Sequence, residues 1–128
     1  MLLLDTHALV WLASDQAQLT LAGKAAIRAA AGALCISSIT GLEIALLVKR
    51  GRLELPLPPA EFVERTVRQH AIEEVPVDLA IALCSAVLPD IHNDPFDRII
   101  AATALGRGCP VLSKDTVLPQ YPGLTVLW

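Results

Sequence analysis

Short apolar runs that end on an acid or hydroxyl residue alternate along this chain with longer segments of helical periodicity, and that alternation restricts the fold more than any other feature. The first run, Met1–Leu4, is followed by Asp5-Thr6, which suits a buried strand passing straight into a helix cap. A short helix is expected over 6–13, closed by Ser14-Asp15, and an alanine-rich helix over 19–31, closed by Gly32. Leu34–Ile36 reads as the second strand, and Ser37-Ser38 leads into an apolar helix over 39–48 that stops at Gly51. The extended LPLPP stretch at 55–59 brings in a helix over 60–69. Strand 72–77, a helix capped by Asp78 and running through Val87, and the turn-rich LPDIHNDP loop follow. Pro95 then starts a helix over 96–105, ended by Gly106 and Gly108, and strands at 110–112 and 124–127 complete the set. Strands and helices in alternation imply an α/β fold on a parallel sheet, with sites forming at the carboxyl ends of its strands.

Length and composition allow this. A chain of 128 residues fits one domain, 1–128, and 54% apolar content supplies ample core. No apolar run approaches the roughly 18 residues of a spanning helix, so no membrane role is expected. MLLLD carries no basic segment and is followed at once by an acid, which points to a cytoplasmic protein. Cys35, Cys84 and Cys109 form no C-x-x-C pair and sit in largely apolar settings, as inert thiols do. A net charge of −3 argues against a general polyanion-binding surface, so nucleic-acid chemistry here requires metal ions and locally grouped cations.

The acids then become the question. Asp5 follows one buried strand and Asp115 follows another, at Val111-Leu112-Ser113-Lys114, so a parallel sheet puts both on one edge. Each also suits a plain capping role. Glu43 is harder to dismiss as structural. Ile39, Glu43, Leu46 and Leu47 share one helical face, and a carboxylate on a core-facing stripe is costly unless paired or metal-bound; the plainer alternatives are a buried salt bridge to an Arg or a helix rotated so that Glu43 reaches the rim. Asp94 and Asp97 lie three apart at a helix start and point to one side; Asp94 fits an N-cap ahead of Pro95, whereas Asp97 precedes the apolar IIAATAL face. Carboxylates held this close repel one another, and divalent cations remove the conflict. Oxygen-only ligands suit Mg²⁺ or Mn²⁺ and not Zn²⁺, and such sites hydrolyse phosphodiesters without a nucleophilic side chain. No G-x-S-x-G, Cys–His pair or phosphate-cradling Gly loop offers another chemistry.

Four blocks in register, LLLDTHALVWLA, SSITGLEIALLVKRGRL, HNDPFDRIIAATAL and VLSKD, resemble the PIN (PilT N-terminus) domain family, and within it the virulence-associated protein C type of bacterial toxin. The resemblance implies a three-layer α/β/α sandwich with a short central parallel sheet. It also implies a Mg²⁺- or Mn²⁺-dependent endoribonuclease that forms a homodimer and is silenced by a small cognate antitoxin. Its acids fall on Asp5, Glu43, Asp97 and Asp115, with Asp94 beside the metal and Thr6, Ser37 and Thr40 as hydroxyl candidates.

Among the remaining polar residues, His7 and His92 read as capping or loop-packing histidines. Lys49, Arg50 and Arg52 form a basic group suited to guiding RNA by phosphate contacts, or simply to complementing the helix dipole. Arg98 and Lys114 adjoin proposed acids and would pair with them or orient a phosphate. The few aromatic side chains suggest no stacking platform for bases, and the apolar surplus suggests an exposed patch for a second subunit or antitoxin helix. Three other readings stand beside the ribonuclease. A haloacid-dehalogenase-like phosphohydrolase wants a second Asp where His7 stands. A receiver domain wants a phosphoacceptor Asp after its third strand, where this chain has only Pro76 and Asp78 nearby. A catalytically silent PIN-like binding module is the last, and the intact acid set counts against it.

Overall fold

The computed structural model describes residues 1–128 as a five-stranded sheet whose neighbouring strands are all parallel. The strands are β1 (Leu2–Leu4), β2 (Leu34–Ser37), β3 (Glu73–Val75), β4 (Val111–Leu112) and β5 (Val126–Leu127), in spatial order β3-β2-β1-β4-β5. The helices are α1 (Thr6–Ser14), α2 (Leu21–Ala29), α3 (Ile39–Lys49), α4 (Pro59–Gln69), α5 (Leu79–Val87) and α6 (Pro95–Arg107). Short 3-10 turns at Gln16–Gln18 and Leu118–Gln120 fill two of the connections.

Period-two alternation divides each central strand between two cores. Leu2 and Leu4 of β1, Leu34 and Ile36 of β2 and Leu112 of β4 pack on one side, with Ala8, Leu9 and Leu12 of α1 and Phe62 of α4. Leu3, Cys35 and Val111 point to the other side, where Ile100, Ala101 and Ala104 of α6 meet Leu118 and Tyr121. Because both faces are covered, the central strands read as unbroken apolar runs in place of an alternating pattern. The result is a helix–sheet–helix sandwich. Small residues on α6 let it lie close to the sheet: Ala101, Ala102 and Ala104 are all buried. Gly108, at φ +62, closes α6 in the left-handed conformation that a C-terminal cap requires.

The elements differ from the expected ones mainly at their ends. The second helix is shorter than 19–31 because Thr20, not Leu19, caps it, its hydroxyl accepting from the Gly23 N–H at 2.9 Å. Strand 72–77 shortens to β3, and the last strand to β5. No helix is long and apolar enough to cross a membrane.

The chain builds outward from β1 on one side to β2 and β3, then crosses back to place β4 against the opposite edge of β1. The connections that leave β1 and β4 run in opposite senses, and in open parallel sheets that switch point leaves a crevice at the carboxyl ends of the strands.

Candidate metal centre

The two residues that flank the switch point are the acids that follow β1 and β4. Asp5 is 7% exposed and caps α1: its Oδ1 accepts from the Ala8 N–H at 2.7 Å, while Oδ2 accepts from the Ser113 hydroxyl. Burial pushes its carboxyl above the ordinary range, although the Ser113 and Ala8 hydrogen bonds oppose the shift. Asp115 turns back over the edge, with Oδ1 accepting from the Val117 and Leu118 N–H groups at 2.6 and 3.1 Å. Burial raises its carboxyl too, but the His92 hydrogen bond and those two N–H groups outweigh it and hold Asp115 below the usual range.

Glu43 arrives from α3, which leaves the carboxyl end of β2. The face of α3 that packs inward carries Thr40 and Ile44. Glu43 is therefore half-buried at the rim: of the settings its apolar neighbourhood allows, the rotated helix that turns it toward the crevice is the one adopted, and not the core-facing stripe with Ile39, Leu46 and Leu47. Its Oε1 accepts from the Thr6 hydroxyl at 2.5 Å. Burial raises the Glu43 carboxyl, with the charges of Asp94 and Asp5 adding to the rise and the Thr6 bond working against it.

Asp94 and Asp97 come from the start of α6, on the opposite layer. Asp94 is the N-cap, its Oδ1 accepting from the Phe96 N–H at 2.9 Å. Asp97 lies one turn in, at the start of the apolar stretch of α6. Burial and then the charges of Asp94, Glu43 and Asp115 push its carboxyl up to about 8. Thus Asp5, Glu43, Asp94, Asp97 and Asp115 line one concavity of about 360 Å³, together with Thr6, His7, Trp11 and Lys114. A larger groove of about 560 Å³ opens between α3 and α4, but none of these acids borders it.

The cations are arranged differently from the expectation. Lys49 and Arg50 stand about 9 Å beyond Glu43 along α3, at its exposed far end, and neither borders the acids. Arg98 does not face the concavity as a substrate contact. Its guanidinium donates to the backbone carbonyls of Ser85, Leu88, Pro89 and His92 at 2.8–3.2 Å, which leaves it committed to the protein itself. Lys114 is the cation on the wall, and its Nζ lies 6.0 Å from the centroid of the Trp11 ring.

Three participants escaped the sequence reading. His92, expected to cap a helix or pack its loop, places Nε2 2.9 Å from Asp115 and 3.2 Å from Asp97. Ser113 holds Asp5 across 108 residues of sequence. Trp11 lies four residues after His7 on α1, and the two rings are 5.4 Å apart with Trp128 5.5 Å beyond. An aromatic group therefore does border the acids, although so few aromatic side chains suggest no stacking platform for bases. The i, i+4 spacing of His7 and Trp11 was the available signal for it.

The donor set fits a hard divalent cation. Carboxylate oxygens dominate it, and no thiol takes part: Cys35 and Cys109 lie buried in the core under α6, and burial pushes the Cys35 thiol up to about 12.

The family model described as PIN domain matches residues 2–124. A curated relative, Ribonuclease VapC22 of Mycobacterium tuberculosis (strain ATCC 25618 / H37Rv), is 29% identical over 129 aligned positions that cover 98% of this chain and 97% of the relative. Among solved structures, the chain resembles the DNA-bound VapBC of Salmonella typhimurium, with a TM-score of 0.71 and 19% identity over 98% of this chain and 95% of that one. It also resembles the toxin-antitoxin complex from Klebsiella pneumoniae, with a TM-score of 0.66 and 22% identity over 98% and 96%.

Proposed function

The chain belongs to the PIN domain family, and from that premise we propose that it is a Mg²⁺- or Mn²⁺-dependent endoribonuclease, the toxin of a toxin–antitoxin pair. The carrying observation is the crowding of five acids from four separate segments into one crevice, where burial and mutual repulsion raise three of them. A metal-free protein has no use for that arrangement, since each charge is disfavoured by the others. The name of the mycobacterial relative supports the RNA-cleaving reading, and the Klebsiella complex supports a protein antitoxin as partner.

Asp5, Glu43, Asp97 and Asp115 would hold the cation, with Asp94 beside them. When bound, a divalent cation acts as a Lewis acid on the phosphate and makes water a stronger nucleophile. The chain's own part is to fix the oxygens beforehand. Asp5 is clamped by Ala8 and Ser113, Glu43 by Thr6, and Asp115 by the turn at Val117-Leu118, so none of these need reorganise during the reaction. Lys114 offers the phosphate a positive contact, and Trp11 and His7 offer a neighbouring base an aromatic surface. No histidine or serine is needed as nucleophile.

The apolar surplus surfaces on α5, where Leu79, Leu83 and Val87 are 75%, 61% and 82% exposed at four-residue intervals. A second copy of the chain is the occupant we assign to that uncharged stripe, in keeping with the homodimer that the family resemblance implies.

The test is to purify the chain free of any partner and incubate it with mixed RNAs in Mg²⁺, Mn²⁺ or EDTA, beside Asp5→Asn and Asp97→Asn. Cleavage should require metal and disappear in both variants. Equal cleavage by the wild type and Asp5→Asn would identify a contaminant and sink the proposal.

A further inference from the structure

His92 sits between two of the five acids, and every polar atom it owns is engaged. Its backbone N–H donates to the Tyr121 hydroxyl at 3.0 Å, and its carbonyl accepts from Arg98 at 3.2 Å. Nδ1 accepts from the Asp94 N–H at 3.1 Å. Nε2 lies 2.9 Å from Asp115 Oδ2 and 3.2 Å from Asp97 Oδ2. These partners assign the tautomer: a nitrogen that accepts from a backbone N–H has no proton of its own, so the ring proton is on Nε2.

That proton goes to Asp115 Oδ2, and Asp97 Oδ2 stands beside the same nitrogen. We propose that His92 is a positioning residue of the metal centre and not a ligand in it, donating its Nε2–H to Asp115 while Asp97 stands 3.2 Å from the same nitrogen, and so fixing the gap between the two acids. The inference rests on reading those acids as metal-binding. Asp97 belongs to α6 and Asp115 to the segment after β4, and the bridge ties the helix layer to the sheet edge.

The geometric alternative is a His92–Asp97–Asp115 metal site, since one ligand atom from each lies within 4.8 Å of the others. The Asp94 N–H argues against it. For Nε2 to present a lone pair, the proton must move to Nδ1, where it would point at another N–H donor. Coordination by this ring would therefore break the contact that orients it.

Arg98 holds the bridge in place. The last turn of α5 leaves carbonyls without helical partners, and Pro89 prevents the helix from continuing. Nε and one terminal nitrogen of Arg98 donate to Ser85 O at 3.1 and 2.8 Å, and that terminal nitrogen also donates to Leu88 O at 2.8 Å. The other terminal nitrogen reaches Pro89 O at 2.9 Å, His92 O and the hydroxyl of the buried Tyr121. One planar fork thus closes the end of α5, pins the loop after it, and sets the backbone of His92. Lysine carries a single ammonium and cannot span these acceptors together.

The test uses the full chain labelled with ¹⁵N-histidine, without RNA, titrated with Mg²⁺ and followed by NMR and calorimetry. His92 should be the neutral Nε2–H tautomer without metal and stay so at saturating Mg²⁺. Conversion to the Nδ1–H tautomer on adding Mg²⁺ would make it a ligand and overturn the proposal. His92→Ala and Arg98→Lys should each weaken Mg²⁺ binding about 10–100-fold, the range usual for partners that orient metal ligands. His92→Gln, whose amide also donates N–H groups at the Nε2 position, should restore most of that loss. Wild-type affinity in His92→Ala would equally overturn it. If Ala or Lys does not fold, the wild-type tautomer and the Gln variant still decide. No Mg²⁺ binding by the wild type defeats the proposal together with the metal reading. Mg²⁺ binding without RNA cleavage defeats only the ribonuclease reading.

Discussion

Asp94 shows how one carboxylate carries two roles that a single substitution confounds and a pair of substitutions separates. As N-cap its Oδ1 satisfies the Phe96 N–H, and as a charge it is the largest electrostatic contributor to the raised Asp97 carboxyl. Asparagine keeps the capping oxygen and removes the charge. Asp94→Asn should therefore unfold at nearly the wild-type temperature while binding Mg²⁺ about tenfold more weakly. Asp94→Ala should lose the cap as well, at a cost of about 1 kcal/mol. Thermal unfolding and Mg²⁺ titration of the two variants separate the roles; an Asn variant with wild-type Mg²⁺ affinity would leave Asp94 a cap and nothing more. Most of the acid set was legible residue by residue, because an acid after a buried strand, or on an apolar helix, stands out locally. What organises the acids was not. Ser113 reaches Asp5, and Tyr121 reaches His92, only through the folded chain, and no local pattern encodes either pairing. Arg98 was misread for a related reason: a cation beside an acid in sequence suggests a phosphate contact, whereas its neighbours in space are carbonyls.

At the scale of elements, the helices that carry acids and those that do not can be told apart by the same experiment. Asp78 caps α5 with its Oδ1 accepting from the Ile81 N–H at 2.8 Å, and it is exposed and outside the crevice. Asp78→Ala should cost about 1 kcal/mol in a denaturant titration and leave RNA cleavage at the wild-type rate. A rate that fell with stability intact would mean that α5 reaches the site by a route other than its cap. Element types were readable because the strands are short apolar runs and the helices carry recognisable caps at Asp5, Asp78 and Asp94, whereas the Thr20 cap emerges only in the fold. The sequence leaves the rotation of α3 open. Its residues are apolar nearly all round, so periodicity gives no strong direction, and packing of Thr40 and Ile44 against the sheet decided which way Glu43 faces.

On the scale of the molecule, the strand order converts scattered acids into one charged crevice. The parallel class follows from alternation, but the placement of β4 against β1 does not; it comes from the crossover that α5 and α6 make beneath the sheet. That closure stores a conflict with a measurable pH signature. Asp97 ionises at about 8 in the folded chain against an ordinary 3.8, and Asp5 and Glu43 shift the same way. A folded state that binds protons more tightly than the unfolded chain is favoured at low pH, and that advantage is lost as pH rises through the folded value. The contribution of Asp97 is thus fully present below about pH 4 and gone above about pH 8, whereas the lowered Asp115 contributes stability above 3.8 that is lost on acidification. In EDTA the melting temperature should fall between pH 5 and pH 8, and Asp97→Asn should flatten that slope and melt higher than the wild type at pH 8. Mg²⁺ should raise the wild-type melting temperature more at pH 8 than at pH 6, because the cation competes with protons for the same oxygens. A wild-type melting temperature in EDTA with the same pH dependence as Asp97→Asn would show that the crevice acids are not in conflict, and would remove the physical basis for placing a cation among them.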